Sequence, residues 1–579
     1  MEHHLLRNID VLVIGGGIAG TVAAIKAKEF GAKEVVIMTK GHVGKGGNSA
    51  FAAGVMHAVH PRETDEDKRD RLWRLARAQG FLADQIMLQD HLEDTLNFIP
   101  DLESYGVEFE KTPTGEIEQH DGRGAHPVIM FHGHQLMNSV MKEVRKQGIK
   151  FLNHVMFTGF LTKNNSVIGA VGFNFRTGDF YQLEAKATIL ATGSTWYKGI
   201  MVGHKDDTGD GYMGSFRAGV TLSGAESNDE ISHAMPARFD IGPGLNMFQG
   251  LGGKLINGKG ERFMGKYVPT LKERAGLRNL MYAFILEIKQ GNGPIYFDFT
   301  HFTPQDIERM RRVIPIPVRM FESARLLVDN RFVAPIEWML CPPIGRPGLV
   351  VNREFETSHR GLFACGEAAA TWAVVTGMAS AGTSGARAGK SAAKYAKEAE
   401  EPKPEHEQIE ELKRSTFEPL QRGLGLEIDQ IILAIQENVI PFDILLLQKQ
   451  ERMEKALKNI QYVRDNYQPI VTAHDPHYLR IAHEACNMLK VAEIQLRTSM
   501  YRKESRVSIR EDYPFTDNEN WLKRLEVIRT DGDMEISTVD VPISEYPFQV
   551  ERKKQLHYII EKAQNSDVLE LSEGGFKWV

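Results

Sequence analysis

Short apolar runs alternate with amphipathic stretches at the start of the chain. Residues 9–14 are an apolar run that ends in glycines, residues 18–30 carry a helical pattern, and residues 34–38 are a second apolar run. Strand, helix and strand in this order predict a βαβ unit at the N-terminus. Residues 64–106 are rich in Arg, Asp and Leu at helical spacing, which predicts helices there.

Two later apolar runs end in glycine-containing turns. Residues 187–190 lead into Ala191-Thr192-Gly193, and residues 361–365 lead into Gly366-Glu367. We expect both runs to return as strands to the N-terminal sheet. Between them, from about 225 to 345, short strands and loops with Pro and Gly predict an inserted domain.

The C-terminal half changes in character. Apolar faces at helical spacing continue from about 403 to 500, whereas the last 75 or so residues are charged, interrupted by proline and predicted to be irregular. The fold class that follows is α/β, with a Rossmann-like domain, an inserted α+β capping domain, a C-terminal helical domain and an extended tail. The predicted segments are 1–224 and 346–402 for the Rossmann-like domain, 225–345 for the capping domain, 403–500 for the helical domain and 501–579 for the tail.

Composition narrows the class of protein. The chain has 579 residues, 42% hydrophobic and 25% charged, with a formal net charge of -6, which gives no reason to expect nucleic acid as a partner. Its three cysteines, Cys341, Cys365 and Cys486, are far apart and too few for an iron–sulfur cluster. Few cysteines and a first strand that follows Met1 closely predict a cytoplasmic protein, with membrane contact at most through other subunits.

The turn after the first strand carries the pattern Gly15-x-Gly17-x-x-Gly20. Gly15 allows a tight turn, Gly17 lets the backbone approach a pyrophosphate, and Gly20 lets the helix and the strand pack closely. The amides at the start of the helix then face the anion. The pattern predicts a dinucleotide site.

The residue that binds the ribose in such sites is usually acidic and stands at the end of the second strand. Here Thr39 occupies that position, with Lys40 beside it. The returns at residues 191–194 and 361–369 favour an extended dinucleotide that crosses the whole sheet, because a nicotinamide cofactor held by one βαβ unit needs no such returns.

These segments together resemble the fumarate reductase/succinate dehydrogenase flavoprotein family. The motifs that carry the resemblance are GxGxxG, "GGNSAFAAG", "ATG", "DTGDGYMGSFRAGV", "GKGERFMGKY" and "GLFACGEAA". The resemblance implies FAD as the cofactor, and it places the following residues at it: Gly15, Gly17, Gly20, Thr39, Lys40, Gly47, Asn48, Ser49, Gly54, Ala191, Thr192, Gly193, Asp210, Gly366, Glu367, Ser380, Thr383 and Ser384.

Residues 277–300, 380–393 and 501–525 most resemble the adenylylsulfate reductase α subunit within this family. In that branch a long tail implies contact with a small ferredoxin-like iron–sulfur subunit. Covalent attachment of the flavin needs a histidine in an H-T-x-x-A-x-G-G context. His42 lies in "GHVGKGGNSA", which lacks that context, so we expect non-covalent FAD.

Three residues are candidate catalytic groups. Arg278 matches the family's active-site arginine, a proton donor in fumarate reductases and an anion ligand in the adenylylsulfate branch. Arg238 resembles an arginine that binds the substrate's phosphosulfate. His132 lies with His126 and His134 in a family segment beside the flavin, where a packing or flavin-contact role is favoured over a metal site; no metal is expected.

The sequence departs from the family where the substrate is bound. Residues 334–352 lack a histidine that both branches carry, and residues 377–385 lack an arginine of the dicarboxylate members. We hypothesise that residues 338–340, Trp-Met-Leu, form an apolar wall in that place. Two functions therefore stay open: an FAD-dependent oxidoreductase subunit that passes electrons between a small anionic substrate and an iron–sulfur partner, or a flavin-containing relay or scaffold subunit without turnover.

Overall fold

The computed structural model describes residues 1–122, 127–200, 203–227, 233–234, 248–249, 251–340, 343–375, 377–572 and 575–578. The first segment of the chain alternates between strands and helices. The strands are β1 (His3–Ile14), β2 (Val35–Met38), β3 (Val55–Met56), β4 (Gln119–Asp121), β5 (Pro127–Met130), β6 (Lys150–Leu152), β7 (Val155–Lys163), β8 (Ser166–Asn174), β9 (Phe180–Leu190) and β10 (Leu222–Ser223). The helices are α1 (Ile18–Glu29), α2 (Asp65–Ala78), α3 (Gln85–Ser104), α4 (Gln135–Lys146) and α5 (Asp210–Arg217).

Short strands and helices follow, and then the return to the first sheet. The strands are β11 (His233–Ala234), β12 (Lys254–Ile256), β13 (Tyr296–Asp298), β14 (Leu327–Val328), β15 (Arg331–Phe332) and β16 (Ile336–Met339). The helices are α6 (Met264–Tyr267), α7 (Leu277–Lys289), α8 (Pro304–Val313) and α9 (Pro315–Ser323). The return consists of β17 (Gly348–Leu349), β18 (Leu362–Ala364) and α10 (Met378–Glu398).

The C-terminal part begins with helices and ends with strands. The helical portion is α11 (His406–Gln421), α12 (Ile428–Val439), α13 (Phe442–Leu445), α14 (Gln450–Asn466) and α15 (Pro476–Tyr501), with β19 (Leu447–Gln448) between α13 and α14. The tail contains β20 (Ile509–Arg510), β21 (Phe515–Asp517), β22 (Lys523–Thr530), β23 (Asp533–Asp540), β24 (Lys554–Leu556), α16 (Tyr558–Asn565), β25 (Leu569–Ser572) and β26 (Gly575–Trp578).

The large sheet has the order β6-β2-β1-β9-β8-β7, and β18 pairs with β9. Strands β1, β2, β9 and β18 run parallel. The register aligns Ile14 with Leu190 and Leu190 with Ala364, so the three strands end at one level. Turns that are far apart in sequence therefore meet at one edge, where ligands of open α/β sheets bind.

The fold class predicted from the sequence is confirmed: a Rossmann-like FAD-binding fold with a capping domain and a helical C-terminal domain. Helix α10 packs closely on α1, because its contact positions are glycines. The two helix backbones are so near each other that a Cβ would not fit between them. A Cβ at Gly385 or Gly389 would collide with the backbone carbonyl of Ala19 or Ala23. The capping part has its own aromatic core, in which β13 and β16 pair antiparallel.

The prediction that the tail is irregular is wrong. Strand β22 pairs with β10, with Leu222 opposite Val527, and β23 extends the same sheet along its full length. Leu525 and Val527 are buried in that pairing, whereas β23 lies at the edge and exposes most of its residues. Because the residues of this edge strand are mostly polar, the sequence did not show the apolar pattern of a strand. The pairing with β22 is what orders it.

Candidate active site

A cavity of about 1110 Å³ lies at the carboxyl ends of β1, β9 and β18. Its lining includes the residues that directly follow these strands, Gly15, Ala191 and Cys365. This volume is slightly above the range of about 300–1,000 Å³ that ligand pockets usually span. The alignment of the three strand ends thus creates a long site for an extended ligand.

The glycine turn after β1 has the geometry that close backbone approach requires. Gly15 has a φ of +119°, and a Cβ there would collide with the carbonyl oxygen of Ala191. A Cβ at Gly20 would collide with the carbonyl oxygen of Gly15, so α1 packs directly on its own turn. Gly20 therefore lies behind the cavity lining and acts through packing, as its place in the motif predicts.

Two helix N-termini face the cavity. Gly17 precedes α1 and Gly377 precedes α10, and both glycines line the cavity. Because glycine has no side chain, neither residue caps the amides of its helix. The Oγ of Ser49 accepts a hydrogen bond of 3.0 Å from the amide of Ile18. The other amides of these first turns, with the helix dipoles, are suited to hold anionic or electron-rich groups of a ligand.

Lys40 lines the cavity and belongs to a buried charge cluster. Its Nζ lies 2.7 Å from Asp210 Oδ2 and 2.9 Å from Glu484 Oε1, and it donates to Thr208 Oγ1 at 2.6 Å. Lys198 adds a second cation 2.7 Å from Glu484. The cluster joins the end of β2 to α5 and to α15, and it fixes Asp210 in the cavity wall.

In this cluster, the effect of burial on the pKa values is offset by neighbouring groups of opposite charge. Burial alone would raise the pKa of Glu484, but Lys40, Lys198 and Arg480 lower it to about 2. Burial alone would lower the pKa of Lys40, and Asp210 and Glu484 raise it instead. Lys40 and Glu484 therefore stay charged near neutral pH.

The buried polar atoms of lining residues that have no hydrogen-bond partner within the protein include Asn48 Oδ1 and Asp207 Oδ2. Burial, followed by the nearby carboxylate of Glu367, raises the pKa of Asp207 well above its usual value. The protonated form of Asp207, which is a hydrogen-bond donor, is therefore favoured. A cofactor with both donors and acceptors along its length, such as FAD, fits these orphaned atoms and the glycine cradle.

The residues predicted to bind the cofactor divide into lining and supporting groups. The cavity is lined by Gly15, Gly17, Thr39, Lys40, Gly47, Asn48, Ser49, Ala191, Thr192, Gly193, Asp210, Gly366, Glu367 and Ser380. The other four, Gly20, Gly54, Thr383 and Ser384, lie outside the lining.

Three of these four support the lining from behind. Ser384 Oγ accepts from the amide of Gly366 at 3.0 Å, and Thr383 Oγ1 lies 2.9 Å from His91 Nδ1. A Cβ at Gly54 would collide with the carbonyl oxygen of Phe131, which places Gly54 in a packing role.

The opposite end of the cavity is cationic. Arg278, in the first turn of α7, lines it and donates from Nη1 to the carbonyl oxygen of Ala78 at 2.6 Å. Ala78 is the last residue of α2, and Arg71, Arg74 and Arg77 of the same helix also line the cavity. These arginines are visible in the sequence as part of a helical segment, but no motif connects them with a site.

The tail contributes to the same end. Arg506, His557 and Tyr558 line the cavity. Arg506 is buried, and its Nη1 donates to the carbonyl oxygen of Gly80 at 2.8 Å. Burial, together with Arg278 and Arg506, lowers the pKa of His557 to about 4, so its imidazole is neutral near pH 7. Arg506 lies in the segment 501–525 that resembles the adenylylsulfate reductase α subunit, but nothing in the sequence placed Arg506, His557 or Tyr558 at this cavity.

Two catalytic candidates from the sequence are not brought to this end. His132 is exposed and lies outside the cavity lining, because the segment around it turns outward before α4, so its catalytic assignment is withdrawn. Arg238, like His126, lies outside the described residues. Among the described residues, Glu110, Glu118 and His120 are close enough to share a metal ion. Glu110 already pairs with Arg312 at 2.6 Å, so its charge is compensated.

The hypothetical apolar wall is also absent from the described lining. Trp338 is buried in the core of the capping part, with its ring 5.2 Å from Phe284 and 5.8 Å from Phe297. Met339 and Leu340 do not line the cavity either. The strand β16 directs Trp338 inward, so its size serves packing.

Comparison with known proteins defines the class first. Residues 10–386 match the family described as FAD binding domain, and residues 438–555 match the one described as Fumarate reductase flavoprotein C-term. The protein is an FAD-dependent oxidoreductase flavoprotein. It belongs to the fumarate reductase/succinate dehydrogenase flavoprotein family.

Relatives match along nearly their whole length. An uncharacterised FAD-dependent oxidoreductase of Methanocaldococcus jannaschii is 28% identical over 88% of this chain and 95% of its own. One of the subunits of the CoM/CoB fumarate reductase of Methanothermobacter marburgensis is 27% identical over the same shares, 88% and 95%.

Two solved structures agree with the fold. The E. coli quinol fumarate reductase flavoprotein has a TM-score of 0.83 at 20% identity, with 95% of this chain and 99% of that chain covered. Adenylylsulfate reductase of Archaeoglobus fulgidus has a TM-score of 0.80 at 20% identity, with 96% and 98% covered. At this identity the likeness shows the fold alone, and the two scores do not single out the adenylylsulfate branch. No helix among the described residues has the length and apolar character that a membrane crossing requires.

Proposed function

We propose that this chain is the flavoprotein subunit of a redox enzyme that exchanges electrons between a small anionic substrate and an iron–sulfur partner subunit. The observation that carries the proposal is the division of charge along the cavity. The acidic residues of the described lining, Asp206, Asp207, Asp210 and Glu367, all follow β9 or β18. Helix α2, helix α7 and the tail contribute arginines and a histidine to the lining and no carboxylate.

The cofactor's place follows from the glycine cradle. The amides at the start of α1 are suited to the pyrophosphate, and Thr39 and Asp210 to the adenosine part. Bound there, FAD supplies two-electron transfer to or from a substrate beside its ring. His42 lines the cavity, but its sequence context differs from that of a covalent attachment site, so we infer non-covalent FAD.

Arg278 is the residue that we assign to the substrate. Its guanidinium can hold a carboxylate, phosphate or sulfate oxygen by paired hydrogen bonds, and it keeps its charge at any working pH. The carbonyl of Ala78 orients it. Both a dicarboxylate with an activated C=C bond and an adenylylsulfate-like anion fit this chemistry, and relatives or structural neighbours are named for each.

The electron-transfer partner and the cellular location are inferred from the cysteine content and from the family resemblance. The chain has three cysteines, too few to hold an iron–sulfur cluster, so electrons need an acceptor outside it. A small ferredoxin-like subunit is the partner that the family resemblance implies. We infer a cytoplasmic location from the low cysteine content.

A relay or scaffold subunit without turnover is the second candidate. Residues 378–381, Met-Ala-Ser-Ala, line the cavity where dicarboxylate members carry an arginine, and none of these side chains is charged. This loss favours the relay, whereas the cationic end with Arg278 favours the enzyme.

Reoxidation of the reduced flavin by a substrate distinguishes the enzyme from the relay subunit. The FAD-loaded protein is reduced without oxygen and then mixed with fumarate, acrylate or adenylyl sulfate while the absorbance of oxidised flavin is followed. Return of the yellow colour with one compound in the wild type, but not in Arg278→Ala, supports the enzyme. An exposed arginine of α9 outside the lining provides the control, Arg319→Ala, which we expect to behave as the wild type. No return with any compound supports the relay.

A further inference from the structure

The C-terminal tail enters the cavity at the point where Arg278 lies. Residues 501–579 begin after α15 and fold back through β20 and β21, so that Arg506 and His557 reach the lining. The sequence predicts partner contact for this tail, and nothing in the family match assigns it to the substrate end.

A buried ion network holds the base of the tail in place. Glu504 accepts from Arg502 Nη1 at 2.8 Å and from Arg506 Nε at 2.7 Å, and Arg502 Nη2 donates to Glu226 at 2.9 Å. The side chains of all four residues are 4% exposed or less. Removing one member would leave an uncompensated buried charge, so the network locks the tail into one position.

The end of α2 is the common anchor of the cationic cluster. The carbonyl of Ala78 accepts from Arg278, and the carbonyl of Gly80 accepts from Arg506. Carbonyls at a helix C-terminus have no partner within the helix and attract cations. The remaining nitrogens of Arg506 bind Glu504 and Asn518, so Arg506 contributes its field, and Arg278 lines the cavity beside it.

His557 lies beside both guanidinium groups with its backbone fixed. Its amide donates to the carbonyl of Pro514 at 3.0 Å, and its ring packs edge-on against Tyr282 at 6.3 Å. The Nδ1 atom is buried and has no hydrogen-bond partner. An orphaned buried acceptor is tolerated more readily than an orphaned N–H, which favours the tautomer with the proton on Nε2.

We infer that the tail completes the substrate site, with His557 donating a hydrogen bond from Nε2 to the substrate anion that Arg278 binds. The inference rests on the proposed function and deepens it, because it assigns a carboxylate or other oxyanion to a site shared by α7 and the tail. Burial, together with Arg278 and Arg506, keeps the imidazole neutral, so it adds a directed donor without adding charge.

The first test measures ligand affinity in the FAD-loaded full chain. Fumarate, acrylate and adenylyl sulfate are titrated while the flavin difference spectrum is recorded. His557→Leu should weaken the bound anion about 10- to 100-fold, and His557→Gln, which keeps a donor, should weaken it less. His406→Leu removes an exposed histidine of α11 as the control, and flavin content and Tm should match the wild type in all three variants.

The second test does not require a known substrate. Diethyl pyrocarbonate acylates neutral histidines that it can reach, and peptide mass spectrometry reports acylation at His557 alone. We expect acylation of the FAD-loaded protein, slowed by whichever anion binds. Absence of acylation, or acylation that none of the three anions slows, overturns the assignment of His557.

The outcomes separate this inference from the proposed function. Reoxidation by one anion that is lost in Arg278→Ala but unchanged in His557→Leu rejects the role of His557 and leaves the enzyme in place. No reoxidation in the wild type, together with unprotected acylation, rejects both.

Discussion

The two ends of the cavity are built in different ways. The adenosine end is lined by turns that directly follow β1, β9 and β18, with glycines and carboxylates. The cationic end combines α2, α7 and the tail, whose residues Arg278 and His557 are far apart in sequence. The proposed cofactor end uses backbone geometry within local motifs, whereas the proposed substrate end uses side chains that only the tertiary fold gathers. The cofactor class was therefore readable from the motifs, and the substrate was not.

The largest effect should come from removing the charge at the substrate end. Arg278→Ala should lower turnover with the active anion about 10²- to 10⁴-fold, the range of a lost proton-transfer or anion-binding group. Arg278→Lys keeps the charge but loses the paired hydrogen bonds, and it should recover only part of the loss. Steady-state kinetics with flavin content as the reference checks this, and equal turnover of the alanine variant and the wild type contradicts it.

At the adenosine end, Lys40→Met should act on stability. The substitution leaves Asp210 and Glu484 buried near each other without their shared cation, which should cost about 3–5 kcal/mol of unfolding free energy. Denaturant unfolding measures the change, and FAD affinity should fall with it because Asp210 moves. Lys45→Met, at an exposed lysine, is the control. Unchanged stability would mean that the cluster is hydrated.

Lowering the pH should reduce the contributions of the two ends of the cavity to the unfolding free energy over different pH ranges. The pKa of Glu484 is lowered to about 2, so its stabilisation is complete above its ordinary value near 4.5 and is lost as the pH falls through about 2. The pKa of His557 is lowered to about 4, so the unfolded chain binds more protons between about 6.5 and 4 and stability falls across that earlier window. In the unfolding free energy against pH, His557→Gln should lose part of the early slope and Glu484→Gln part of the late slope, because the pKa values of His91 and Glu110 are also lowered, to about 4 and about 2. Identical profiles for both variants contradict the assignment.

The smallest effect should come from Asp207→Asn. Burial and Glu367 favour the protonated, neutral form of Asp207, so an amide of the same shape should change stability and FAD affinity by about 0.5 kcal/mol or less. Asp210→Asn removes a charged partner of Lys40 and should weaken FAD binding clearly more. Fluorescence titration of the apoprotein with FAD compares them. A large loss in Asp207→Asn with none in Asp210→Asn would reverse the assigned charge states.

The elements of the cofactor end were predicted closely. Helix α1 and strand β2 lie within one residue of their predicted bounds, and the two later apolar runs returned to the sheet as expected. Lys40 was placed correctly at the end of β2, but its role could not be predicted, because its partner Glu484 lies 444 positions away on α15.

The cationic end was predicted only through Arg278. His132 was proposed from its neighbours in sequence, and the turn before α4 leaves it exposed. The tail was expected to be irregular because its edge strand β23 is polar. Its neighbour β22 pairs with β10, which joins residues about 300 positions apart. No local period encodes such a pairing.

The amino-acid sequence by itself determined the βαβ unit, the glycine cradle and the cofactor class, because backbone amides within a few residues of one another form those contacts. The tertiary structure alone decided that Lys40 serves Asp210 and Glu484, and that Arg506 and His557 join Arg278. The physical reason is that buried charges and a neutral imidazole depend on partners from distant segments, and the burial that sets their protonation exists only after those segments have packed.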